Sequence, residues 1–510
     1  MLVLAFKPGH DGTVAAIEDG KLLFSLEGEK DTFPRYSALN PTKLLQIAER
    51  LPRSPDVIAL SGWQREGAEY QGADVVMQRS GKWFGREATM FSSSHERSHI
   101  MMAVGMAPRE SHPACAVLSY EGVIGSFYLL DAQWRVVRTI PVLKNVGHRY
   151  VSIYHLADPL DHKPRFGPGG NAGKLMALAA FGNAKAAEPA IVETVERILS
   201  SPTFTAMTFD KEAFRDSPVY DAGVTSQACK DAAAVITDRI FEIFVDAAKR
   251  EIPAGLPLYI SGGCGLNCEW NMKWRSDGHF SSVFVPPCTN DSGSAIGTAI
   301  DAQHALTGEA QIDWSVYSGL EFEWDTEPDP TLWRRQPLDN DALAREIANG
   351  LVVAWVQGRW EIGPRALGNR SLLAEPFMAS TKDRLNGIKK REDYRPIAPC
   401  CRIEDAGKAF DADFPDSYML YFRGIRMKEL EAIAHVDGTA RVQTVAREEN
   451  PQLHDLLSAY ARSSGVGVLC NTSLNFKSRG FINRMSDLAT YCRRTGIEFV
   501  VGDSWFRRAA

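Results

Sequence analysis

Residues 357–371 read QGRWEIGPRALGNRS and carry three arginines and three glycines in fifteen positions. The stretch follows an apolar, β-rich run, Leu351–Trp355. Arg359, Arg365 and Arg370 keep their charge at any working pH, so they must face water or an anion. A guanidinium fork matches phosphate bidentately, and glycine lets a backbone approach a ligand closely. A solvated basic loop would have the same composition. Two downstream segments favour the anion. KKREDYRPIAP, at 389–399, adds four more cations, and VLCNTSLN, at 468–475, ends another apolar run in small polar groups. Apolar strands that end in ligand-facing loops, alternating with helical stretches, define an α/β chain with a phosphate pocket in its C-terminal part.

With 510 residues the chain exceeds one ordinary core. Hydrophobic content of 45% and charged content of 24% are those of a globular protein. The formal net charge of −6 supplies no global field for nucleic acid or an anionic membrane, so the basic clusters are local sites. The opening MLVLAF is cut by Lys7-Pro8-Gly9, too short a run for a signal peptide. No window approaches the ~20 apolar residues of a membrane span. None of the nine cysteines forms a CxxC pair, and Cys264/Cys268 and Cys400/Cys401 lack zinc-ribbon spacing. Reduced thiols and a cytoplasmic location are expected.

The first residues read as strand (2–5), polar turn Gly9-His10-Asp11-Gly12, strand (13–17), Asp-Gly hairpin and strand (21–26). A further buried strand is expected at 56–60, and residues 61–90 read as polar and irregular. His95 and His99 stand four apart, one turn of a helix, the spacing by which two imidazoles reach one metal ion. Residues 114–118, 125–130 and 134–139 read as a meander, 146–150 opens a helix, 165–170 is a Pro/Gly loop, and 184–200 and 226–250 have helical periodicity. Leu258–Asn267 is a strand opening onto a glycine turn, Gly262-Gly263, whose free N–H groups suit a nucleotide phosphate or ribose. Val285-Pro-Pro-Cys-Thr-Asn290-Asp291 precedes a small-residue helix start. No internal repeat stands out beyond a general strand–helix alternation. The expected division is 1–325, a linker 326–340 marked by acidic residues and prolines, and 341–510, with strands near 351–356, 371–378, 397–403 and 466–470.

The words GRWEIGPRALGNRS, KREDYRPIAP, HVDGTARVQTV and LCNTSLN resemble the C-terminal half of the bacterial O-carbamoyltransferases, which tailor nodulation factors, cephalosporins, aminoglycosides and ansamycins. The N-terminal GHD, HxxxH and GKLMALAAFG (173–182) are similar to that family too, so the resemblance covers most of the chain. It implies an actin-like, two-lobed N-terminal domain followed by a YrdC-like α/β domain. It pairs His95 and His99 with a distal Asp, here Asp291, as metal ligands. Iron is the first expectation, with zinc or manganese as alternatives. It makes His10 the general base, with Asp11 to orient it. Lys174, Gly262, Gly263, Asn267 and Asn290 would hold nucleotide or carbamoyl-adenylate. Arg365, Arg370, Lys390, Arg395, Arg441, Asn471 and Ser473 would hold the phosphates of carbamoyl phosphate and ATP, and Lys389 competes with Lys390 for the inward position. The family's acidic residue after its first meander strand is matched in part by Glu121. Glu27–Lys30 and Phe33–Arg35 resemble a worn form of its entry loop, which bears on acceptor recognition.

The implied activity is ATP-dependent carbamoyl transfer, with Mg2+ accompanying ATP, to a small-molecule hydroxyl rather than an amine. A homodimer is left open. A tRNA threonylcarbamoyl-type transferase is the rival, but the chain is acidic and has no aromatic–basic stacking run. An actin-like kinase is the other, and it would need neither HxxxH nor a second phosphate pocket.

Overall fold

The computed structural model describes residues 1–62, 71–74, 76–108, 114–161 and 170–509, so most of the loop expected at 165–170 lies outside the described residues. Contacts divide the chain into two units, both α/β as expected. The first is Met1–His10, Val14–Lys21 and Glu49–Asp313, and the second is Asp11–Thr13, Leu22–Ala48 and Trp314–Ala510. This is not the simple cut near residue 325 that the sequence led us to expect.

Two sheets of the first unit follow one plan. In the first, Leu2–Lys7 has Thr13–Glu18 on one side and, on the other, Val57–Ser61, then Arg86–Ser93, then Val76–Trp83. The connection from Lys7 to Thr13 is too short for a crossover, so it is a hairpin. Val57–Ser61 is parallel to Leu2–Lys7, and Arg86–Ser93 is parallel to Val57–Ser61. In the second sheet, Cys115–Tyr120 pairs antiparallel with Gly125–Leu130, which pairs with Val136–Pro141. On its other side Leu258–Ser261 and Val283–Phe284 run parallel. A first strand with a hairpin on one side and two parallel strands on the other, made twice, is the plan of the actin-like class. The sequence did not display it as a repeat because the backbone plan recurs without the residues.

Residues 76–93 correct the reading of 61–90 as irregular. They form the antiparallel pair Val76–Trp83 and Arg86–Ser93. Val76–Trp83 is an edge strand exposed at most positions, so it carries no apolar alternation to betray it.

Helices His95–Met106 and Ser294–Thr307 pack on one another between the sheets. The former meets Cys115–Tyr120 and Leu258–Ser261, the latter Leu2–Lys7 and Val57–Ser61. They approach so closely that a Cβ on Gly297 would stand 1.8 Å from the Ser98 carbonyl oxygen. Arg97 locks the pair by donating from Nε and Nη2 to the two Asp301 carboxylate oxygens at 2.7 and 2.8 Å, with Asp301 fully buried. Removing one partner of such a buried pair costs about 3–5 kcal/mol.

The second unit is built on an eight-stranded sheet in the order Trp333–Pro337, Ser504–Arg508, Glu498–Val501, Val353–Val356, Arg370–Ala374, Val468–Ser473, Ala398–Arg402, Gln443–Val445. Helices Asn340–Ala348 and Pro451–Ser464 pack together against one face, with Leu343, Ile347, Trp355, Leu373, Leu456 and Trp505 in that core. A larger apolar cluster around Ala354, Val356, Leu372 and Phe499 fills the other face. The expected linker 326–340 contains the edge strand Trp333–Pro337, antiparallel to Ser504–Arg508; charges and proline suit an edge as well as a linker. Residues 31–35 run alongside the loop 478–484. Thr32 N donates to Phe481 O at 3.0 Å, Arg35 N to Ser478 O at 3.1 Å, and Arg484 pairs with Asp31 at 2.9 Å. A piece from the start of the chain is thus part of the C-terminal unit.

Candidate functional site

The helix His95–Met106 begins with a Ser94 cap that accepts from Arg97 N, a cap worth about 1 kcal/mol. Nearly every residue of the helix is buried, so its two histidines are taken out of water. Their Nε2 atoms are 3.2 Å apart. Asp291 opens the short helical turn Asp291–Gly293 before Ser294–Thr307. Its Oδ1 is 3.5 Å from His95 Nε2 and 3.4 Å from His99 Nε2. A fourth group meets them. Glu121, immediately after Cys115–Tyr120, places Oε2 3.3 Å from His95 Nε2 and 3.2 Å from His99 Nε2. All four ligand atoms lie within 4.8 Å of one another. Ligand atoms ~2.0–2.2 Å from a tetrahedral ion stand ~3.3–3.6 Å apart, which these separations match. Two imidazoles with two carboxylates could hold iron, zinc or manganese.

Electrostatics agree with that geometry. Burial opposes the imidazolium form of His95, but Asp291 and Glu121 together hold its pKa up to about 10. Burial likewise opposes the carboxylates, yet the histidines hold Glu121 and Asp291 well below the usual carboxylate range. Without a metal, the four groups settle by keeping protons on the histidines. A cation bound there would displace those protons.

Asp291 also faces the other way. Its Oδ2 is 3.1 Å from Lys7 Nζ and 3.6 Å from His10 Nδ1. The His10 side chain is 56% exposed, so an acceptor can reach it. Asp11, the neighbour expected to orient His10, donates its N–H to Tyr36 O at 3.1 Å. Within the first unit the carboxylate beside His10 is that of Asp291.

The glycine turn lies at the same sheet end as Glu121, because Leu258–Ser261 runs parallel to Cys115–Tyr120 with Ser119 opposite Ser261. This is the carboxyl end, where α/β sheets bind ligands. Gly262 has φ +89° and sits so close that a Cβ would be 2.3 Å from Tyr120 O. Gly263 starts the helical turn Gly263–Leu266, and Asn267 caps the following helix Cys268–Asp277 through Oδ1. Its Nδ2 is buried with no hydrogen-bond partner among the described residues, a donor a ligand can take. Asn290 precedes Asp291 and accepts from Ser292 Oγ at 3.0 Å. Lys174, on the helix Ala172–Ala179, holds its ammonium 5.4 Å from the Tyr154 ring centre. His148, in the helix Val146–Ala157, lies beside the Glu121 turn, with Nε2 3.1 Å from where a Gly122 Cβ would be.

In the second unit the loop 357–371 is more structural than its composition implies. Arg370 is fully buried and donates to Gln357 O, Gly358 O, Asn369 O and, twice, to Asn483 Oδ1. A guanidinium has five N–H donors, so none remains for phosphate, and the expected role of Arg370 is corrected. Arg359 is similarly occupied by the carbonyls of Leu23, Ser318 and Gly319. Glu361 Oε1 accepts from the N–H groups of Leu367, Asn369 and Arg370 and so shapes the turn. Arg365 is half-buried on that loop.

Of Lys389 and Lys390, between which the sequence left the inward position open, Lys389 is the buried one. Lys390 is the exposed cap of the helix Ala379–Lys389, in the left-handed region with φ 50°. Lys389 is buried and donates to Ser473 and Asn475. Ala398 lies opposite Asn471, and Cys400 is level with Gln443. The segments carrying Arg395, Arg441, Asn471 and Ser473 therefore meet at one end of the sheet. Asn471 Nδ2 bonds Ala366 O and Gln443 Oε1, while its Oδ1 is buried without a hydrogen-bond partner among the described residues.

Cations crowd this end. Burial first, then Arg391, Arg35 and Arg395, push the Lys389 ammonium well below its ordinary pKa. Burial, then Arg395 and Arg441, bring Arg391 down to about 9. Carboxylates nearby are few and loosely placed, with Glu392 3.9 Å from Arg395 and Glu29 3.6 Å from Arg35. Packed cations with so little compensation would suit an anion. Arg35 and Arg391 were not among the residues expected at this site, and Lys389 was expected only as the alternative to Lys390. The KKRED run held the signal for two of them, whereas no local pattern ties Arg35 to a segment more than 350 residues away.

Two buried polar centres, one built from imidazoles and carboxylates and one from cations, on α/β units of this plan mark a group-transfer enzyme. Comparison with known proteins agrees: residues 75–300 match the family model Carbamoyltransferase N-terminus, and residues 344–508 match Carbamoyltransferase C-terminus. The chain is similar to the 3'-hydroxymethylcephem-O-carbamoyltransferase of Streptomyces clavuligerus, at 57% identity over 524 residues covering 100% of both chains. It is equally similar, at 57% over 523 residues and 100% of both, to the protein of that name from Amycolatopsis lactamdurans. Nodulation protein U of Sinorhizobium fredii is 31% identical over 100% of this chain and 99% of its own. The chain belongs to the carbamoyltransferase family. Its nine cysteines are all free thiols, and no helix among the described residues is long and apolar enough to cross a membrane.

Proposed function

We propose that this protein is an ATP-dependent O-carbamoyltransferase whose acceptor is the hydroxymethyl group of a cephem. The observation that carries the reading is the convergence of His95, His99, Glu121 and Asp291 on one point, with His10 on the outer side of Asp291. Identity of 57% along the whole length of relatives named for hydroxymethylcephem supports the acceptor.

Carbamoyl phosphate and ATP would bind at the cationic end of the second unit. Arg365, Arg395, Arg441, Asn471 and Ser473 are the residues proposed there, with Lys389 and Arg391 added and Arg370 withdrawn. Water attacks the phosphorus of carbamoyl phosphate and the P–O bond to the bridging oxygen breaks, so phosphate leaves and carbamate keeps both carbamoyl oxygens. A carbamate oxygen attacks the α-phosphorus of ATP, the bond to the bridging oxygen breaks, and pyrophosphate leaves, giving carbamoyl-adenylate. The cations neutralise charge that builds on the phosphoryl oxygens, with Mg2+ accompanying ATP.

Carbamoyl-adenylate is then consumed at the imidazole–carboxylate centre of the first unit. A transition metal bound by His95, His99, Glu121 and Asp291, iron ahead of zinc or manganese, would polarise a carbonyl or phosphoryl oxygen there. Lys174, Gly262, Gly263, Asn267 and Asn290 hold the nucleotide. His10 takes the proton from the acceptor hydroxyl, the alkoxide oxygen bonds to the carbamoyl carbon, and AMP departs with the former carbamate oxygen. Incubating the purified protein with a 3'-hydroxymethylcephem, ATP and carbamoyl phosphate tests this. Mass spectrometry should find the carbamate ester only when all three are present. Ester formation without ATP would defeat the adenylate route.

A further inference from the structure

Lys7 is a buried cation that neither the proposed reaction nor any motif uses. It closes the first strand, Leu2–Lys7, with 7% of its side chain exposed. Burying an ammonium is costly unless its donors are taken. Here two of the three are taken, by acceptors of particular kinds. One is the outer oxygen of Asp291, Oδ2, at 3.1 Å. The other is the backbone carbonyl of His10. The inner oxygen of the same carboxylate, Oδ1, faces both histidine Nε2 atoms. Lys7 therefore touches, through one ammonium, the outer side of a residue at the imidazole–carboxylate centre and the peptide that carries the proposed base.

We infer that Lys7 is a positioning residue that restricts Asp291 to one-oxygen coordination and ties His10 to the same carboxylate. A free carboxylate can swing both oxygens onto one ion, as bidentate ligands do. Lys7 prevents this by holding Oδ2, so on an ion that takes five or six ligands a position beyond the four protein atoms is left for a substrate oxygen. Its bond to the His10 carbonyl fixes the distance between base and centre, since the His10 ring also stands 3.6 Å from that Oδ2. The ammonium must supply more than one donor, and methionine supplies none. The inference rests on the metal-binding reading above.

The test uses the full chain, loaded with Co2+ alone as a spectroscopic probe. Wild type, Lys7→Met and Lys7→Arg are compared by visible absorption, Co2+ titration and thermal melting. Lys7→Met should melt cooperatively and bind Co2+, but with a visible spectrum altered in shape and intensity by the changed ligand set. Carbamoyl transfer by its native-metal form should fall by ~10–100-fold in kcat/KM, the usual scale for residues that orient ligands. Lys7→Arg, which can still donate to both oxygens, should move the spectrum back towards wild type. If Lys7→Met does not fold, Lys7→Leu, equally without a donor, takes its place with the same expectation. A folded variant without the ammonium that shows the wild-type Co2+ spectrum and affinity overturns the inference. A wild-type protein that gives no liganded Co2+ spectrum overturns the metal reading, and this inference with it.

Discussion

Asp291 is asked to do two things with two oxygens: complete a set with His95, His99 and Glu121 on one side, and face Lys7 and His10 on the other. Removing a histidine of the set tests the inner side. His95→Ala should reduce bound metal to a small fraction of one equivalent and stop carbamoyl transfer, while pyrophosphate release from ATP continues; elemental analysis of the purified variant checks the first. A variant with its full metal complement would mean the site is wrongly placed. Glu27, in the second unit, gives a pH test. Burial, opposed by Lys30, raises its carboxyl from the ordinary 4.5 to about 7. Between those values the folded chain binds more protons than the unfolded, so this residue makes stability fall as pH rises, by about 3 kcal/mol in full. Denaturant unfolding at about pH 5 and about pH 8 should show that loss in wild type and not in Glu27→Gln. Equal pH slopes for the two would contradict the assignment.

At the scale of elements, the ends of strands and helices decide which side chains meet. The helix Ala379–Lys389 stops with Lys389 buried against Ser473 and Asn475, and turns Lys390 outward in a left-handed cap. Lys389→Met should therefore lower carbamoyl-phosphate-dependent pyrophosphate release by about 10²-fold, the scale of losing a charge-stabilising donor, while Lys390→Met leaves it close to wild type. The reverse order would restore the sequence-based choice. The helical register of these two lysines was not legible, because KKR offers two equivalent neighbours and the stop falls between them. HxxxH was legible because its spacing is local, and helix geometry alone puts both rings on one face. Glu121 was seen as an acidic turn residue, but its convergence depends on which sheet edge it closes. Arg370 misled because an arginine beside glycines reads the same whether its donors go to phosphate or to four acceptors in its own unit.

For the whole molecule, strand alternation and length gave the α/β class and two compact parts, but not their membership. Residues 22–48 fold with Trp314–Ala510, which no composition shift announces, because hydrogen bonds such as Thr32 N to Phe481 O are fixed by tertiary packing. The duplicated sheet plan was equally hidden, since topology repeats there without sequence. Division of labour between the units is testable with Arg441→Ala or Asn471→Ala. Either should block adenylate formation, and chemically made carbamoyl-adenylate should restore the ester; no rescue would count against two separate sites. The central claim, that a carbamate oxygen bonds to the α-phosphorus of ATP before transfer, is tested most directly by the fate of that oxygen. Carbamoyl phosphate carrying a heavy oxygen isotope at both carbamoyl oxygens is turned over with ATP and a 3'-hydroxymethylcephem in ordinary water. The account predicts that each AMP formed carries one heavy oxygen, delivered when the carbamoyl carbon parts from the phosphate. Unlabelled AMP, or ester formed with ADP as the only nucleotide product, would contradict it.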